Sequence, residues 1–212
     1  MKIIIIGASG HGKVAFDALN TNTEFEIKGF IDDNLEELNK TIFGVPILGD
    51  INYLIKELIN EIDGVFVAIG DNKIRKAISE KILDKFNLIN AIHPKSIISE
   101  DVRLGKGILV VAGAVINSSS TISDGVIINT GSTVDHDNFI GEYTHIAPGV
   151  HLAGNVKIGS LSFIGIGTSI IQNLEIGSNV IIGAGSVVIR NLPDNCLAYG
   201  VPAEIKKKFK PL

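Results

Sequence analysis

Between residues 129 and 154 the chain reads NTGSTVDHDNFIGEYTHIAPGVHLAG, a segment that gathers Asp135, His136, Asp137, His145 and His151. Three of the five histidines fall within these positions. Two acids bracket His136. A carboxylate beside an imidazole selects one tautomer and raises the basicity of the ring, which is the pairing of a general base that works near neutral pH. His151 has no such bracket and reads as a solvated corner residue. His136, His145, Asp135 and Asp137 are of zinc-ligand type, but no CxxC, HxH or HExxH spacing is present, so no metal site is expected.

The segment lies inside a longer regularity. From Ile98 to Val188 an aliphatic residue returns at every sixth position, sixteen times in succession. With about one aliphatic residue in three as background, chance gives such a run a probability on the order of 10⁻⁸, and the period fits neither a 3.6-residue helix nor a lone strand. It fits a parallel β-helix of hexapeptides, three to a coil and roughly five coils in all, in which each short strand sends one aliphatic side chain to the axis. Two residues before that position come small or β-branched groups such as Ser120, Val126, Ser132 and Thr144, suited to the inside of a corner. One residue after it, glycine recurs at Gly105, Gly141, Gly159, Gly165, Gly177 and Gly183, where a positive φ is expected. His136 and His145 are nine residues apart, half a coil. They are therefore expected on different sides of one chain and to meet only across a boundary between subunits.

Ahead of the repeat, residues 1–93 have the rhythm of an α/β domain with a small parallel, Rossmann-like sheet of about five strands. The apolar run KIIII at 2–6 leads into GASGHG at 7–12 and then a helical pattern through Val14, Ala15, Ala18 and Leu19. Further strands are expected at Glu26–Ile31, Val45–Leu48, Gly64–Ile69 and Leu88–Ile92, with helices from Ile51 to Asn60 and through Ile74 to Leu83. His93-Pro94 ends the domain, and residues 94–212 form the β-helix and a C-terminal tail. The amides of a glycine-rich loop that opens a helix can hold a phosphate. Asp32 follows Gly12 by twenty residues, as an acid on a dinucleotide ribose would. However, GASGHG is GxxGxG rather than GxGxxG, and the domain is too short for two mononucleotide halves. A mononucleotide or nucleotide sugar is expected rather than NAD.

Composition narrows the classes. The chain has 212 residues, 45% of them hydrophobic but only 6% aromatic, with no Trp, which suits a core of Ile and Val. A net charge of −4 gives no footprint for nucleic acid. One cysteine, Cys196, cannot form an internal disulfide, and a reducing, cytoplasmic setting is expected. The run at Ile3–Ile6 is too short for a signal peptide core, and no stretch reaches the ~18 apolar residues of a membrane span, so no membrane insertion is expected.

The repeat and the closing GVPA at 200–203 resemble the left-handed β-helix acyltransferases. More narrowly, GASGHG, IDD at 31–33, IGDN at 69–72, NTGSTVDHD at 129–137 and the later His145 resemble the bacterial nucleotide-sugar N-acetyltransferases that act on UDP- or dTDP-linked 4-amino-4,6-dideoxy sugars. The resemblance covers essentially the whole chain. It implies an acyltransferase with acetyl-CoA as co-substrate, a nucleotide-sugar substrate, and a homotrimer with active sites between subunits. It puts the general base on His136 and its acidic partner on Asp137, where many relatives have Glu. Asn129 and His145 fall where the family lines acetyl-CoA, and Gly154 where a backbone amide meets the thioester carbonyl. Ser9, Gly10, His11 and Gly12 correspond to the diphosphate loop, Asp32 and Asp33 to nucleoside contacts, and Asp71 and Asn72 to the loop beside them, with Asp71 replacing the usual Asn.

Direct acyl transfer follows from these roles. An amine attacking a thioester must lose a proton, which a His with pKa near 6.5 can accept, and an amide donor to the oxyanion is typically worth ~3 kcal/mol. Cys196 has no His or Asp beside it to make it a nucleophile. Arg190 and Lys206–Lys208 are candidates for the phosphates of CoA, or a solvated basic tail. Two alternatives stand beside N-acetylation: O-acetylation of sialic acid or another glycan hydroxyl, and a non-enzymatic trimer that binds a metabolite. The residues leave open the nucleotide, the sugar stereochemistry and acyl groups larger than acetyl.

Overall fold

The computed structural model describes residues 1–38 and 40–210. Pro211 and Leu212, the end of the expected tail, lie outside the described residues. The chain divides into two compact units, Met1–Pro94 and Lys95–Leu212.

In the first unit, elements alternate as β1 (Lys2–Ile6), α1 (Gly10–Asn20), β2 (Glu26–Ile31), β3 (Thr41–Ile42), β4 (Val45–Gly49), α2 (Ile51–Glu57), β5 (Gly64–Val67) and α3 (Asn72–Ile82). The sheet order is β3-β4-β2-β1-β5, parallel except for the β3–β4 pair. Ile3–Ile6 is at most 4% exposed, as a strand covered on both faces must be, which is why it reads as an unbroken apolar run. Ile4, Ile6, Ile31, Val65 and Val67 of the sheet meet Leu54 and Ile82 of α2 and α3 in one core.

Several boundaries differ from the sequence reading. Helix α1 begins at Gly10, so His11 and Gly12 lie in its first turn and the loop proper is 7–9. Helix α2 stops at Glu57, short of Asn60, and β5 stops at Val67, short of Ile69. The fifth strand of the sheet is the antiparallel β3; of the expected strand Leu88–Ile92, Leu88 makes a single bridge to Val65, and Ala91–Ile92 is a two-residue strand outside this sheet.

The second unit is a parallel β-helix. Two-residue strands 18 positions apart pair in register, for example Thr133 with Val115 and His151, so three strands complete a coil. One ladder runs from Ile97–Ile98 to Val187–Val188, a second from Arg103–Leu104 to Glu175–Ile176. The third includes Leu109–Val110 to Ile181–Ile182 and continues into the hairpin Cys196–Gly200 and Ala203–Lys208, with GVPA at its turn. From Val110 to Val188 every aliphatic position of the period is at most 2% exposed. The small residues two positions earlier are buried as well, and Thr144 and Ser162 each donate a hydroxyl bond to a carbonyl fifteen residues on.

The glycine expectation is overturned in its cause. None of Gly105, Gly141, Gly159, Gly165, Gly177 and Gly183 has a positive φ. A Cβ at these sites would collide with the next coil, as at Gly159, where it would lie 2.5 Å from the backbone nitrogen of Ser178. The left-handed residues come three positions after the aliphatic one: glycines such as Gly131 and Gly167, and also Ser119, Asp137, Tyr143, Asn155, Leu161, Asn173 and Asn179.

Candidate functional site

Val134 ends a strand on the axis, and the next three residues turn the corner. Asp137 completes the turn with φ 60° in the left-handed region, which Asp tolerates better than most residues. The corner presents both polar side chains to solvent, with His136 64% and Asp137 58% exposed. His136 Nδ1 lies 2.7 Å from Asp137 Oδ2. An ionised carboxylate only accepts, so Nδ1 carries the proton and Nε2 keeps a lone pair in the neutral ring. This bond to Asp137 raises the His136 pKa above its ordinary value, and the charges of Asp137 and Asp135 act in the same sense.

Asp135 takes no hydrogen bond from the ring in this arrangement. Its carboxylate accepts from Asn117 Nδ2 at 2.6 Å, on the preceding coil, and it influences His136 through charge. On the following coil, Gly154 lies against the imidazole: a Cβ added there would be 2.5 Å from His136 Cε1 and 2.6 Å from Nε2. Since the backbone of Gly154 has no positive φ, the need for glycine is the space taken by the ring. His136, Asp137 and Gly154 are thus brought together.

Asn129 and His145 form a second group. Asn129 Oδ1 accepts from the Thr130 amide at 2.8 Å, which turns its NH₂ toward His145 Nε2 at 3.0 Å. Nε2 of His145 is then an acceptor in a neutral ring. His145 is 7% exposed and meets Phe163 edge-on, with centroids 5.1 Å apart. His151 is exposed and bonded to Thr133 Oγ1 at 3.0 Å.

In the first unit the loop 7–9 joins β1 to α1. Gly7 has φ 107° and approaches Ala68 so closely that a Cβ would lie 2.7 Å from its carbonyl oxygen. Asp32 holds the loop: Oδ2 accepts from the Ala8 amide at 2.7 Å, while Oδ1 accepts from Asn34 at 2.9 Å. Ser9 and Gly10 are exposed at the start of α1. Asp33 accepts from the first amide of α2, Ile51, at 3.2 Å. Asp71 caps α3 through Lys73 and Ile74, both at 2.9 Å, and Asn72 accepts from Arg75 Nη2 at 2.9 Å. All four of these polar residues therefore organise the backbone or a buried cation.

Arg75 was not singled out by sequence. It is 1% exposed and donates to the carbonyls of Ile69 and Gly70; burial lowers the pKa of His11, and the charge of Arg75 acts in the same sense. A lone Arg in NKIRKAISEKI looks like any charge on a polar helix face; only its position, between Asn72 and Ser79 at helical spacing, hints at burial.

Two other candidates resolve simply. Cys196 is buried, donates to the Pro193 carbonyl at 3.2 Å, and burial pushes its thiol pKa up, the wrong direction for a nucleophile. Lys206 of the basic run pairs with Glu204 at 2.9 Å. Among the described residues there is no cluster of three or more His, Cys, Asp or Glu that could hold a metal, and no helix long and apolar enough to cross a membrane.

Comparison with known proteins gives concordant matches. Residues 2–82 match the PglD N-terminal domain. The curated UDP-N-acetylbacillosamine N-acetyltransferase of Bacillus subtilis (strain 168) is 35% identical over 115 residues, which is 52% of this chain and 51% of that protein, so the match spans about half the length of that relative. PerB from Caulobacter crescentus, solved with CoA and GDP-perosamine, is 42% identical, with 98% of each chain covered and a TM-score of 0.92. The acetyltransferase domain of PglB from Neisseria gonorrhoeae FA1090 is 36% identical, covering 96% of this chain and 98% of that one at a TM-score of 0.89, and was also solved with acetyl coenzyme A.

Proposed function

The chain belongs to the nucleotide-amino-sugar N-acetyltransferases of the hexapeptide-repeat family, and we propose that it moves acetyl from acetyl-CoA to the 4-amino group of a nucleotide-linked amino-deoxy sugar with His136 as general base. The observation that carries the assignment is the His136 Nδ1 to Asp137 Oδ2 bond of 2.7 Å, which leaves Nε2 as the acceptor nitrogen at the corner.

Transfer is direct. The sugar amine attacks the thioester carbonyl and gives up a proton to Nε2, while Asp137 stabilises the imidazolium. The carbonyl oxygen becomes an oxyanion, for which the Gly154 amide is the donor. Collapse expels CoA as a thiolate, which takes the proton from His136. Asn129 and His145 line the path of acetyl-CoA. Ser9, Gly10, His11 and Gly12 at the start of α1 receive the diphosphate, where the positive end of the helix dipole favours an anion. Asp32 and Asp33 contact the nucleoside, and Asp71 and Asn72 shape the neighbouring loop.

Residues 1–93 are the nucleotide-sugar domain in this reading and 94–212 the acyl-transfer domain. The working form is a homotrimer in the cytoplasm, with His136 of one subunit facing the Asn129 and His145 groove of a neighbour. The half-coil separation of His136 and His145 supports that arrangement.

The test is release of free CoA thiol from acetyl-CoA when UDP-, dTDP- or GDP-linked 4-amino sugars, free sialic acid or CMP-sialic acid is offered, with His136→Ala as control. Turnover of an amino sugar that His136→Ala abolishes is the expected result. Turnover of the sialic acids alone, or full activity in His136→Ala, overturns the proposal.

A further inference from the structure

The inward corner position, two residues before each aliphatic one, is filled sixteen times from Ser96 to Ser186. Fifteen of these residues are Ser, Thr, Ala, Val, Leu or Ile. Asn138 is the one amide, and it is 2% exposed. A buried primary amide has two N–H donors and a carbonyl to satisfy, so it persists where all three find partners.

The hydroxyls at this position have one proton to donate and send it one way or the other. Ser132 and Ser186 donate backward within their own turn, to the carbonyls of Asn129 and Gly183. Thr144 and Ser162 donate forward to the next coil, to Gly159 and Gly177. Asn138 does both. Nδ2 donates backward to the Asp135 carbonyl at 2.7 Å, with a longer approach to that of His136 at 3.4 Å, and forward to the Ala153 carbonyl at 3.0 Å. Its Oδ1 accepts from the Val156 amide at 3.0 Å. The two segments so joined are 135–137, which carries the base, and 153–156, which carries the glycine under the imidazole.

We infer that Asn138 is a positioning residue for acyl transfer: its amide clamps the His136 corner to the Gly154 corner and so fixes Nε2 relative to the oxyanion donor. This rests on the proposed roles of His136 and Gly154. A single hydroxyl has one proton and so keeps only one of the two donated ties, to the Asp135 carbonyl or to that of Ala153, and the two corners would slide against each other by fractions of an ångström. Displacements of that size at a reacting centre are costly: about 1 Å can remove 10²-fold in rate.

Asn138→Ser and Asn138→Thr test it, because the same residues fill equivalent corners of this chain and leave the coil intact. Steady-state kinetics with both substrates, thermal unfolding, sizing, and the pH profile of kcat/KM are compared with wild type and His136→Ala. The expected result is a kcat lowered at least tenfold in both variants, KM values within about threefold, unchanged oligomer and melting, and an acid limb moved toward the ordinary imidazole pKa as the Asp137 bond loosens. Wild-type kcat and pH profile in either folded variant would overturn the clamp. So would a loss that tracks unfolding or appears in KM alone, which marks a purely structural corner. If His136→Ala retains activity, the base assignment itself fails, whatever the Asn138 variants do.

Discussion

The imidazole of His136 rests on Gly154, one coil away, so tightly that a single methyl on that glycine would enter the ring at 2.5 Å. Since Gly154 needs no unusual φ, Gly154→Ala is free of backbone strain and acts on the ring alone. The expected outcome is a kcat about 10²-fold lower with little change in melting temperature. Kinetics and calorimetry of the same preparation check it; an active Gly154→Ala enzyme would separate the glycine from the base.

The raised pKa of His136 has a definite sign in a rate profile. The base works unprotonated, so the acid limb of kcat/KM should have its midpoint above 6.5, the ordinary imidazole value. Asp137→Asn keeps a residue that tolerates the left-handed corner but removes the charge. Its limb should move down in pH, and its plateau kcat should fall by about tenfold or more because the ring is a weaker base and its cation is less stabilised.

Asp32 ties the Ala8 amide into the loop, and Asp32→Ala leaves that loop without its anchor. A charge-assisted bond of this kind is worth about 1.5–3 kcal/mol. The KM for the nucleotide sugar is expected to rise at least tenfold while that for acetyl-CoA stays within twofold. Equal changes in both would argue against separate substrate domains.

Two classes of corner glycine should respond oppositely to asparagine. Gly167 has φ 68° with open space around it, the conformation that Asn155 and Asn173 already adopt, so Gly167→Asn should change stability by no more than about 0.5 kcal/mol. Gly159 faces Ser178 of the next coil, and Gly159→Asn should cost about 1–3 kcal/mol or more through overpacking. Denaturant unfolding of the pair measures the contrast.

The period of Ile and Val made the β-helix legible, because a solenoid repeats its burial as it repeats its sequence. His136 with Asp137 was legible too, being adjacent in the chain. The cause of the recurrent glycines was not: steric contact eighteen residues away leaves the same letter as a positive φ. Nothing in the letters separates Asn138 from other polar corner residues or Arg75 from a surface cation, because their burial and their partners come from the fold. In the first unit, Asp32, Asp33 and Asp71 read as ligand contacts, whereas their shortest bonds are to the chain's own amides, a use that Asp serves equally well at helix caps and turns.

Eighteen-residue pairing also makes the coil number a free variable. The contacts that set the His136 corner, from Asn117 to Val156, come from its own coil and the two beside it, and a stack of this kind couples each layer only to the next. Whole coils could be gained or lost toward either end without moving the base relative to its glycine. A single inserted residue between 137 and 153 would put them out of phase at once. Chains sharing this chemistry should therefore vary in length by multiples of a coil and hold the interval between the two residues fixed.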